Sequence, residues 1–409
     1  MKHTSKLTIV NDPIYGFISI PGTLIHKLIE HRYFQRLRRI SQMGMSYLVY
    51  PGAHHTRFHH ALGALHLMGR AVSTLRMKGV SISSEEEEAL SIAILLHDIG
   101  HGPFSHAMEH SIAEGTSHEQ ISLFFMEALN EEFDGQLSMA IQIFKNEYPR
   151  KFMYQLISSQ LDMDRMDYLK RDSFYTGVAE GSISSDRLIF MLNVKNDSLV
   201  IEEKGIYSVE KFIVARRLMY WQVYLHKTGI VAEQLLVKLL IRAKELTKNR
   251  EILPGSGPLL YFLNRELSDA SFSAETLEIF SRMDDYDIVS AMKMWMEHPD
   301  FVLRNISDML INRELLKIKL QNSPFSEEKV EKKIKKLSKK YDISEHEATY
   351  FVFTGHISNQ AYSMEKDAIN LFTKDGEIVD VATASDQLNL KALSEEVTKF
   401  YLCYPKSDY

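Results

Sequence analysis

The sequence contains a single cysteine and no excess of positive charge. Cys403 is the only cysteine among 409 residues, which excludes an intrachain disulfide framework and favours a reducing compartment. The 48 lysines and arginines against 54 acidic residues give a formal net charge of −6, so no overall basic field favours nucleic acid as a partner. An anionic substrate would therefore need cations placed locally.

Long apolar runs are also absent. No segment approaches the roughly 18 apolar residues that a membrane-spanning helix requires, and the beginning of the sequence, MKHTSKLTIVNDPIYG, lacks the apolar region of a signal peptide. A cytoplasmic protein without a membrane partner is expected. With 45% hydrophobic and 25% charged residues, the chain can still fill a large core.

Apolar residues recur at helical spacing over most of the chain, and short β-rich segments interrupt them. LTIV and FISI flank the turn formers NDPIYG and predict a hairpin, and SLVIEEKGIYSV predicts a second one. Helices are predicted over residues 22–42, 60–78, 117–131, 136–147, 150–172, 208–248, 273–298 and 306–321. The sequence therefore predicts a mainly α fold with short β-hairpins.

A further helix is predicted from its capping signal. Ser84 followed by Glu87 matches a capping box, and the glycines and proline of IGHGP would end the helix that it opens. His97 and Asp98 are therefore expected at the C-terminal end of this helix.

The composition changes near residue 322, where a lysine-rich segment begins. We predict one domain over residues 1–321 and a small α+β region over residues 322–409, the latter containing the strand-like GEIVDVAT.

The lysine-rich segment has the pattern of an amphipathic helix. Its apolar stripe consists of Val330, Ile334, Leu337 and Tyr341, and its other faces carry Lys329, Lys332, Lys333, Lys335, Lys336, Lys339 and Lys340. A solvated face is the expected role of these lysines. The alternative is a docking surface for nucleic acid or an anionic partner, which the overall charge does not support.

Histidines and carboxylates gather in three segments, TRFHH, LLHDIGHGPFSH and LDMDRMDYLKRD. Imidazole nitrogens and carboxylate oxygens suit a borderline divalent ion and leave positions open for water and phosphate oxygens. We expect His60, His97, Asp98 and Asp164 to form a catalytic metal site. Tyr168 and Asp172 follow Asp164 at helical spacing, so one broad helix face presents all three side chains.

At these segments the sequence resembles the HD-domain metal-dependent phosphohydrolases. Within them it is most similar to the deoxynucleoside triphosphate (dNTP) triphosphohydrolase branch, which includes bacterial dGTPases and the vertebrate sterile-alpha-motif/HD dNTPase. NDPIYG, FQRLRRISQMG, YLVYPGAHHTRF and SHEQ match as well, in consistent order from about residue 9 to about residue 235. The resemblance implies an HD-domain helical core and hydrolysis of a dNTP to a deoxynucleoside and triphosphate.

The resemblance also implies roles for individual residues. His60, His97, Asp98 and Asp164 would hold the divalent ion, which could be Mn, Fe, Mg or Zn. His106 with Glu109 would be the proton-donating pair, and His101 and His118 would line the same channel. Substrate contacts would come from Gln42, Arg57, Arg165, Tyr168, Asp172, Arg216 and Tyr224, with the arginines on phosphates and Tyr224 against the 2′ carbon of the sugar.

This sequence departs from the family pattern at two positions. His59 stands where an acidic residue is frequent, which leaves His59 as an alternative to His60 for the ligand position. Glu109 stands where the family has an aspartate. Outside the matched positions, His55, His66 and His110 are expected to be surface or packing residues, and Asp167 to contact the backbone or a nearby cation rather than the metal.

Two further expectations follow from the resemblance. Asn11, Gln35 and Arg38 match positions that hold a regulatory guanine nucleotide in some family members, and a homo-oligomer is expected. The alternatives to a dNTP triphosphohydrolase are an HD phosphohydrolase for another phosphoester, such as a nucleoside monophosphate, cyclic nucleotide or alarmone, and a non-catalytic nucleotide sensor.

Overall fold

The computed structural model describes residues 8–104, 116–265, 272–365, 367–386 and 393–406. These residues form a mainly helical structure with small sheets, which confirms the predicted fold class. The helices are α1 (Thr23–Glu30), α2 (Arg32–Gln35), α3 (Arg57–Met77), α4 (Ser84–Leu96), α5 (His118–Glu132), α6 (Ser138–Phe144), α7 (Lys151–Ile157), α8 (Met163–Thr176), α9 (Ser185–Met191), α10 (Ile206–Met219), α11 (Lys227–Lys248), α12 (Gly257–Leu263), α13 (Ala274–Phe280), α14 (Asp285–Trp295), α15 (Phe301–Ile311), α16 (Glu327–Tyr341), α17 (Glu345–Ala348) and α18 (Val381–Ala384).

The strands form sheets of two, four and three strands among the described residues. They are β1 (Thr8–Asp12), β2 (Gly16–Ile20), β3 (Leu192–Lys195), β4 (Ser198–Glu202), β5 (Lys317–Gln321), β6 (Phe353–Asn359), β7 (Asn370–Phe372), β8 (Ile378–Asp380) and β9 (Val397–Tyr404). β1 and β2 form the predicted N-terminal hairpin. The orders of the larger sheets are β3-β4-β7-β8 and β5-β9-β6.

Helix α3 lies at the centre of the fold. Most of its residues are buried, and it packs against α4 on one side and α8 on another. Small residues permit the approach of α8: a Cβ atom added at Gly63 would lie 2.0 Å from Asp167 Oδ1 and 2.3 Å from an Arg171 guanidinium nitrogen. Because these three helices carry the histidines and carboxylates of the motifs, their packing positions the site.

The start of α4 differs from the prediction by one residue. The capping box is formed by Ser83 and Glu86 rather than by Ser84 and Glu87: Glu86 N donates to Ser83 Oγ at 3.1 Å, and Ser83 N donates to Glu86 Oε2 at 2.8 Å. Adjacent serines and glutamates satisfy the same pattern, so sequence alone did not fix the register. The helix ends at His97, as predicted.

Several predicted helices are divided in the structure. The helix predicted over 150–172 is two helices, α7 and α8, because the backbone is extended at Ser158 and Asp162 caps a new helix. The helix predicted over 208–248 consists of α10, a π-helical turn at Tyr220–Tyr224, and α11. The helix predicted over 273–298 is likewise divided into α13 and α14, with Asp284 capping the second.

The predictions were wrong for two segments that contain strands. The second hairpin pairs Leu192–Lys195 with Ser198–Glu202, and the residues after Ile206 are helical rather than extended. Its turn residues Asn196 and Asp197 have positive φ values of 49° and 56°, as a tight hairpin turn requires. The end of the helix predicted over 306–321 is strand β5, which pairs with β9 across a long stretch of chain.

The C-terminal region is tied to the rest of the chain by strand pairing. β5 lies before residue 322 and pairs with β9, while Ile201 of β4 pairs with Leu371 of β7 in parallel. The apolar stripe of α16 faces the protein, as predicted: Leu337 is buried, and Val330 and Ile334 pack against the core. The division at residue 322 stays a prediction.

We expect Gly63→Ala to destabilise the protein. The added methyl group would collide with Asp167 and Arg171 and force α3 and α8 apart, so the free energy of unfolding should fall by about 1–3 kcal/mol. Gly69→Ala, in the same helix with no atom within 4 Å of the added Cβ, is the matched control. It should raise stability by about 0.5–1 kcal/mol through helix propensity. Urea unfolding measures both, and equal stability of the two variants would contradict the close approach at Gly63.

Candidate active site

Three of the predicted ligands place their ligand atoms around one point. Nε2 of His60 lies 3.1 Å from Oδ1 of Asp164 and 3.4 Å from Nε2 of His97. Nε2 of His97 lies 3.5 Å from the same Asp164 oxygen and 3.5 Å from Oδ1 of Asp98. An ion bound about 2.1 Å from each atom separates neighbouring ligand atoms by about this much, so the geometry fits a divalent metal.

Each of the three candidate ligands lies at the end of a helix. His60 lies in the first turn of α3, His97 caps the C-terminus of α4, and Asp164 lies in the first turn of α8. A carboxylate in a first turn is favoured by the helix dipole. Three chain segments thus converge with their side chains prepositioned.

The structure distinguishes His60 from His59. Nδ1 of His59 accepts a hydrogen bond from Thr56 N at 3.2 Å and so closes the start of α3. Burial lowers the pKa of His59, which keeps this nitrogen an acceptor. His60, by contrast, is fully buried beside His97 and Asp164.

A buried chain of charged groups orients His60. Its Nδ1 lies 2.8 Å from Oδ2 of Asp167, and Arg171 donates to both oxygens of that carboxylate at 2.9 and 3.0 Å. Arg171 also donates to Asp12 of β1 at 2.8 Å. Asp167 therefore contacts a cation, as expected, and it directs Nε2 of His60 toward the ligand cluster.

The electrostatics favour ionised carboxylates in the cluster. Burial by itself would raise the pKa of Asp164, but hydrogen bonds from His60 and His97 hold it well below the usual range. Burial likewise opposes ionisation of Asp167, yet Arg171 and His60 lower its pKa to about 2. Anionic carboxylate oxygens together with neutral imidazole nitrogens form the donor set that a divalent ion requires.

A second group of potential ligands adjoins the first. Atoms of Asp98, His101 and His118 lie within 4.8 Å of one another. Nδ1 of His101 is 3.3 Å from Oδ1 of Asp98, and the rings of His101 and His118 are 3.9 Å apart between centroids. Arg57 donates to the other oxygen of Asp98. The predicted channel residues are thus brought together beside the metal ligands.

These residues open into a cavity of about 550 Å³. This volume falls within the range of small-molecule sites. The lining includes most of the predicted site residues, namely Gln42, Arg57, His97, Asp98, His101, His118, Asp164, Arg165, Tyr168, Asp172 and Tyr224. Arg216 lies on α10 and is not part of this lining, but it is close enough to Tyr168 to affect the pKa of that side chain. Burial raises the pKa of Tyr168, and the charges of Arg165 and Arg216 oppose the rise.

Another part of the cavity lining is organised around Asp172. Tyr224 donates its hydroxyl to Oδ2 of Asp172 at 2.7 Å, and Nε2 of His55 lies 2.6 Å from Oδ1. The ring of His55 stacks on Tyr175 with centroids 4.3 Å apart. Tyr224 ends the π-helical turn, a distortion that often occurs at functional sites.

Some buried polar atoms at or near the cavity have no hydrogen-bond partner in the described part of the chain. They are Oε1 of Gln42, Nε of Arg165 and Nε of Arg216. An unsatisfied buried group costs about 1–3 kcal/mol, so such groups indicate that a polar ligand completes them. A hydroxyl donor would suit Gln42, and anionic oxygens would suit the arginines.

Five residues with predicted catalytic or regulatory roles are not among those that the structure brings together at this site. His106 and Glu109 lie outside the described residues. Asn11 is exposed on β1, and Arg38 lies over the Phe58 ring at 3.6 Å while its Nε donates to Gln35 Oε1 at 2.8 Å. The role of Asn11, Gln35 and Arg38 in holding a regulatory nucleotide stays a prediction.

Sequence reasoning missed two residues that shape the site. His55 was assigned a packing role, yet it holds Asp172 and its carbonyl accepts from Gln42 N at 3.0 Å. Asp285 of α14 accepts from Ser41 N at 2.8 Å and from Phe104 N at 2.9 Å. Nothing in the motif spacing indicated Asp285, because its partners are far away in sequence. For His55, the available signal was its place in the matched segment YLVYPGAHHTRF, two residues before Arg57.

None of the described helices combines the length and the apolar composition needed to cross a membrane.

We expect Asp285→Ala to loosen both segments that it joins. The N–H groups of Ser41, which is partly buried, and of Phe104, which is buried, would each lose their acceptor, at up to about 1–3 kcal/mol apiece. Hydrogen exchange followed by mass spectrometry should show faster exchange in peptides that contain these two residues. Tyr286→Ala, at a neighbouring side chain that is 67% exposed, is the control. Unchanged exchange in the Asp285 variant would show that Asp285 does not hold these two segments together.

Comparisons with known proteins agree with this geometry. A model of the HD domain matches residues 57–172, and a model of the HD associated region matches residues 183–252. The uncharacterized protein YwfO of Bacillus subtilis is 31% identical over 422 residues, covering 98% of this chain and 93% of its own length. The crystal structure of a phosphohydrolase from Bacteroides thetaiotaomicron is 51% identical, with a TM-score of 0.95 over 98% of this chain and 100% of that chain.

A relative whose name states an activity matches a shorter part of this chain. The deoxynucleoside triphosphate triphosphohydrolase SAMHD1 homolog of Dictyostelium discoideum is 31% identical over 259 residues, which are 59% of this chain and 50% of that protein. The domain matches, the full-length relative and the assembled His and Asp ligands together show that this chain belongs to the HD-domain phosphohydrolase family.

Proposed function

We propose that the protein hydrolyses deoxynucleoside triphosphates to deoxynucleoside and triphosphate. The observation that carries the proposal is the hydrogen bond of Tyr224 to Asp172 in the lining of the cavity that also contains candidate metal ligands. This pair offers a carboxylate for a sugar hydroxyl next to an aromatic ring, while arginines in the same lining offer cations for phosphates. The name of the Dictyostelium relative points to the same substrate class.

The cationic side of the cavity suits a triphosphate. Arg57, Arg165 and Arg216 lie at or beside the cavity, and His101 and His118 lie next to Asp98. Arginine presents several N–H donors in a planar fork that matches phosphate oxygens. The unpartnered Nε atoms of Arg165 and Arg216 would gain acceptors when a triphosphate binds.

The reaction breaks the bond between the α-phosphorus and the 5′ oxygen as water adds to that phosphorus. A divalent ion held by His60, His97, Asp98 and Asp164 would supply an acidified water and polarise a phosphoryl oxygen. Arg57 and Arg165 neutralise charge that develops on the triphosphate. By the family resemblance, His106 with Glu109, both outside the described residues, would donate a proton to the departing 5′ oxygen.

The part of the cavity around Asp172 would favour deoxyribose over ribose. Asp172 accepts the 3′-hydroxyl while His55 and Tyr224 hold it in place, and Gln42 Oε1 accepts a further hydroxyl proton. Burial and the nearby Asp172 carboxylate raise the pKa of Tyr224, so its hydroxyl keeps its proton and donates it to Asp172. A 2′-hydroxyl against the Tyr224 ring would then have no partner.

We expect loss of a metal ligand to abolish both metal binding and turnover. His97→Ala and Asp164→Ala each remove a ligand atom from the cluster, so bound metal, measured by plasma mass spectrometry, and hydrolysis should fall together. His66→Ala is the control, because His66 lies on the same helix as His60 but packs half-buried on Tyr15 with centroids 5.0 Å apart. Full metal content and rate in either ligand variant would refute the assignment.

We expect Tyr224→Ala to raise the relative activity on ribonucleotides. The wild-type protein, screened against all dNTPs and NTPs with triphosphate detection, should prefer deoxyribose by a factor that corresponds to about 1–3 kcal/mol. Tyr224→Phe keeps the ring and removes the hydroxyl that bonds Asp172, so it should retain the sugar preference and raise KM. The comparison of the two variants separates the steric effect from the hydrogen bond.

The same screen distinguishes the alternative functions. Equal hydrolysis of GTP and dGTP, with Tyr224→Ala indistinguishable from wild type, would overturn the sugar assignment and favour another phosphoester as substrate. Binding without turnover of any nucleotide by metal-loaded protein would favour a sensor. A homo-oligomer and a regulatory nucleotide at Asn11, Gln35 and Arg38 remain part of the proposal, and light scattering with and without GTP tests them.

A further inference from the structure

Asp12, at the end of strand β1, shares an arginine with a residue of the candidate active site. Arg171 donates to Oδ2 of Asp12 at 2.8 Å and to the two oxygens of Asp167 at 2.9 and 3.0 Å. Asp12 is 8% exposed, and the other two side chains are fully buried. We call Asp12, Arg171 and Asp167 the charge triad. It connects the N-terminal hairpin to His60, whose Nδ1 lies 2.8 Å from Oδ2 of Asp167.

The charge triad carries one net negative charge, because two carboxylates share one guanidinium. Arg171 already has a bidentate partner in Asp167, so a second carboxylate is not needed to neutralise it. A buried net charge costs free energy unless a charge of opposite sign lies nearby. Among the described residues, the ion pairs of both carboxylates involve only Arg171 and His60. The compensating positive charge is therefore to be sought beyond His60.

His60 leads from the charge triad to the candidate metal ligands. Its Nε2 lies 3.1 Å from Oδ1 of Asp164. A carboxylate that accepts a hydrogen bond from one ring nitrogen of a metal-binding histidine fixes the tautomer and makes the other nitrogen a stronger ligand. Oδ2 of Asp167 is shared by His60 and Arg171, so the guanidinium competes for this oxygen. Asp12 takes up part of the charge of Arg171 and leaves Asp167 more strongly anionic toward His60.

The turn of the hairpin holds Asp12 in this position. Its Oδ1 accepts from the N–H groups of Ile14 at 2.8 Å and Tyr15 at 3.0 Å, as in an Asx turn. Oδ2 thereby remains for Arg171. Gly16, with a φ of 74°, ends the turn and begins β2. Each carboxylate oxygen of Asp12 thus has a separate task, one in the turn and one in the charge triad.

We propose that Asp12 is a positioning residue for the metal site, and that it acts through Arg171 and Asp167 to strengthen the binding of a divalent ion by His60. The inference rests on the metal site of the proposed function and not on the identity of the substrate. A purely structural ion pair is the alternative. That role explains the contact between the hairpin and α8, but an uncharged acceptor would satisfy the same donor of Arg171 without burying a second carboxylate.

The test measures the affinity for Mn²⁺ alone, with free Mn²⁺ followed by electron paramagnetic resonance. Asp12→Asn keeps the shape and the Oδ1 acceptor of the turn but removes the charge. Loss of a partner of a metal-binding histidine weakens metal affinity by about 10–100-fold, and Asp12 is one group further away, so its dissociation constant should rise about tenfold. Asp12→Glu keeps the charge and changes the shape, so it should restore most of the affinity. A purely structural role predicts the reverse order of the two variants.

Gly16→Ala is the matched control for the stability of the hairpin. Alanine at a φ of 74° strains the turn, while no atom lies within 4 Å of the added Cβ, so the charge triad is left intact. Its Mn²⁺ affinity should stay close to that of the wild type although urea unfolding shows lower stability. If circular dichroism shows that Asp12→Asn does not fold, Asp12→Ser replaces it, because a serine hydroxyl also accepts in such a turn.

Three results would overturn the proposal. Unchanged Mn²⁺ affinity in the uncharged variant would exclude any effect of the charge. An equal loss in Gly16→Ala would mean that only the stability of the hairpin matters, and an Asp12→Glu variant as weak as Asp12→Asn would assign the effect to shape. Failure of the wild type to bind Mn²⁺ would refute the metal site itself. Since no nucleotide is present, a protein that binds Mn²⁺ as expected but hydrolyses no dNTP would contradict the proposed function and leave this inference standing.

Discussion

The ion pair between Asp167 and Arg171 holds the active site together. Both side chains are fully buried on α8, and removal of one partner from such a pair costs about 3–5 kcal/mol, because the other charge is left without compensation. The pair reaches β1 through Asp12 and the ligand cluster through His60. The absence of a side chain at Gly63 admits the pair against α3. One electrostatic contact thus fixes the strand, the two helices and the orientation of a metal ligand.

Side chains that line the cavity or lie beside it differ in how many hydrogen bonds hold them within the protein. Asp172 is held on both oxygens, by His55 and by Tyr224, so its position is fixed before a substrate arrives. The atoms Gln42 Oε1, Arg165 Nε and Arg216 Nε instead have no hydrogen-bond partner among the described residues. Under the proposed function, a sugar hydroxyl and phosphate oxygens would supply these partners, and the cavity would favour a ligand that is neutral at one end and strongly anionic at the other.

Supporting contacts come from beyond the two matched family regions. Asp285 belongs to α14, after the HD associated region, and its carboxylate accepts hydrogen bonds from the backbone N–H groups of Ser41 and Phe104. Arg36 is fully buried nearby, and its guanidinium donates to the carbonyl of Ile99 at 2.6 Å, while burial lowers its pKa to about 9. Helices after residue 252 therefore contribute to the geometry of a site whose ligands all come from earlier segments.

The sequence by itself determined the mainly α class, the ligand types and the positions of His97 and Asp98 at a helix end, because periodicity and motif spacing are local properties. Tertiary structure decided the rest. It placed His60 rather than His59 beside His97 and Asp164, since contact with Asp167 depends on how α3 meets α8. It made residues 317–321 a strand, because β9 supplies the hydrogen-bonding partner that a helical pattern does not reveal. The roles of His55 and Asp285 likewise come from contacts between residues far apart in sequence, which no spacing rule encodes.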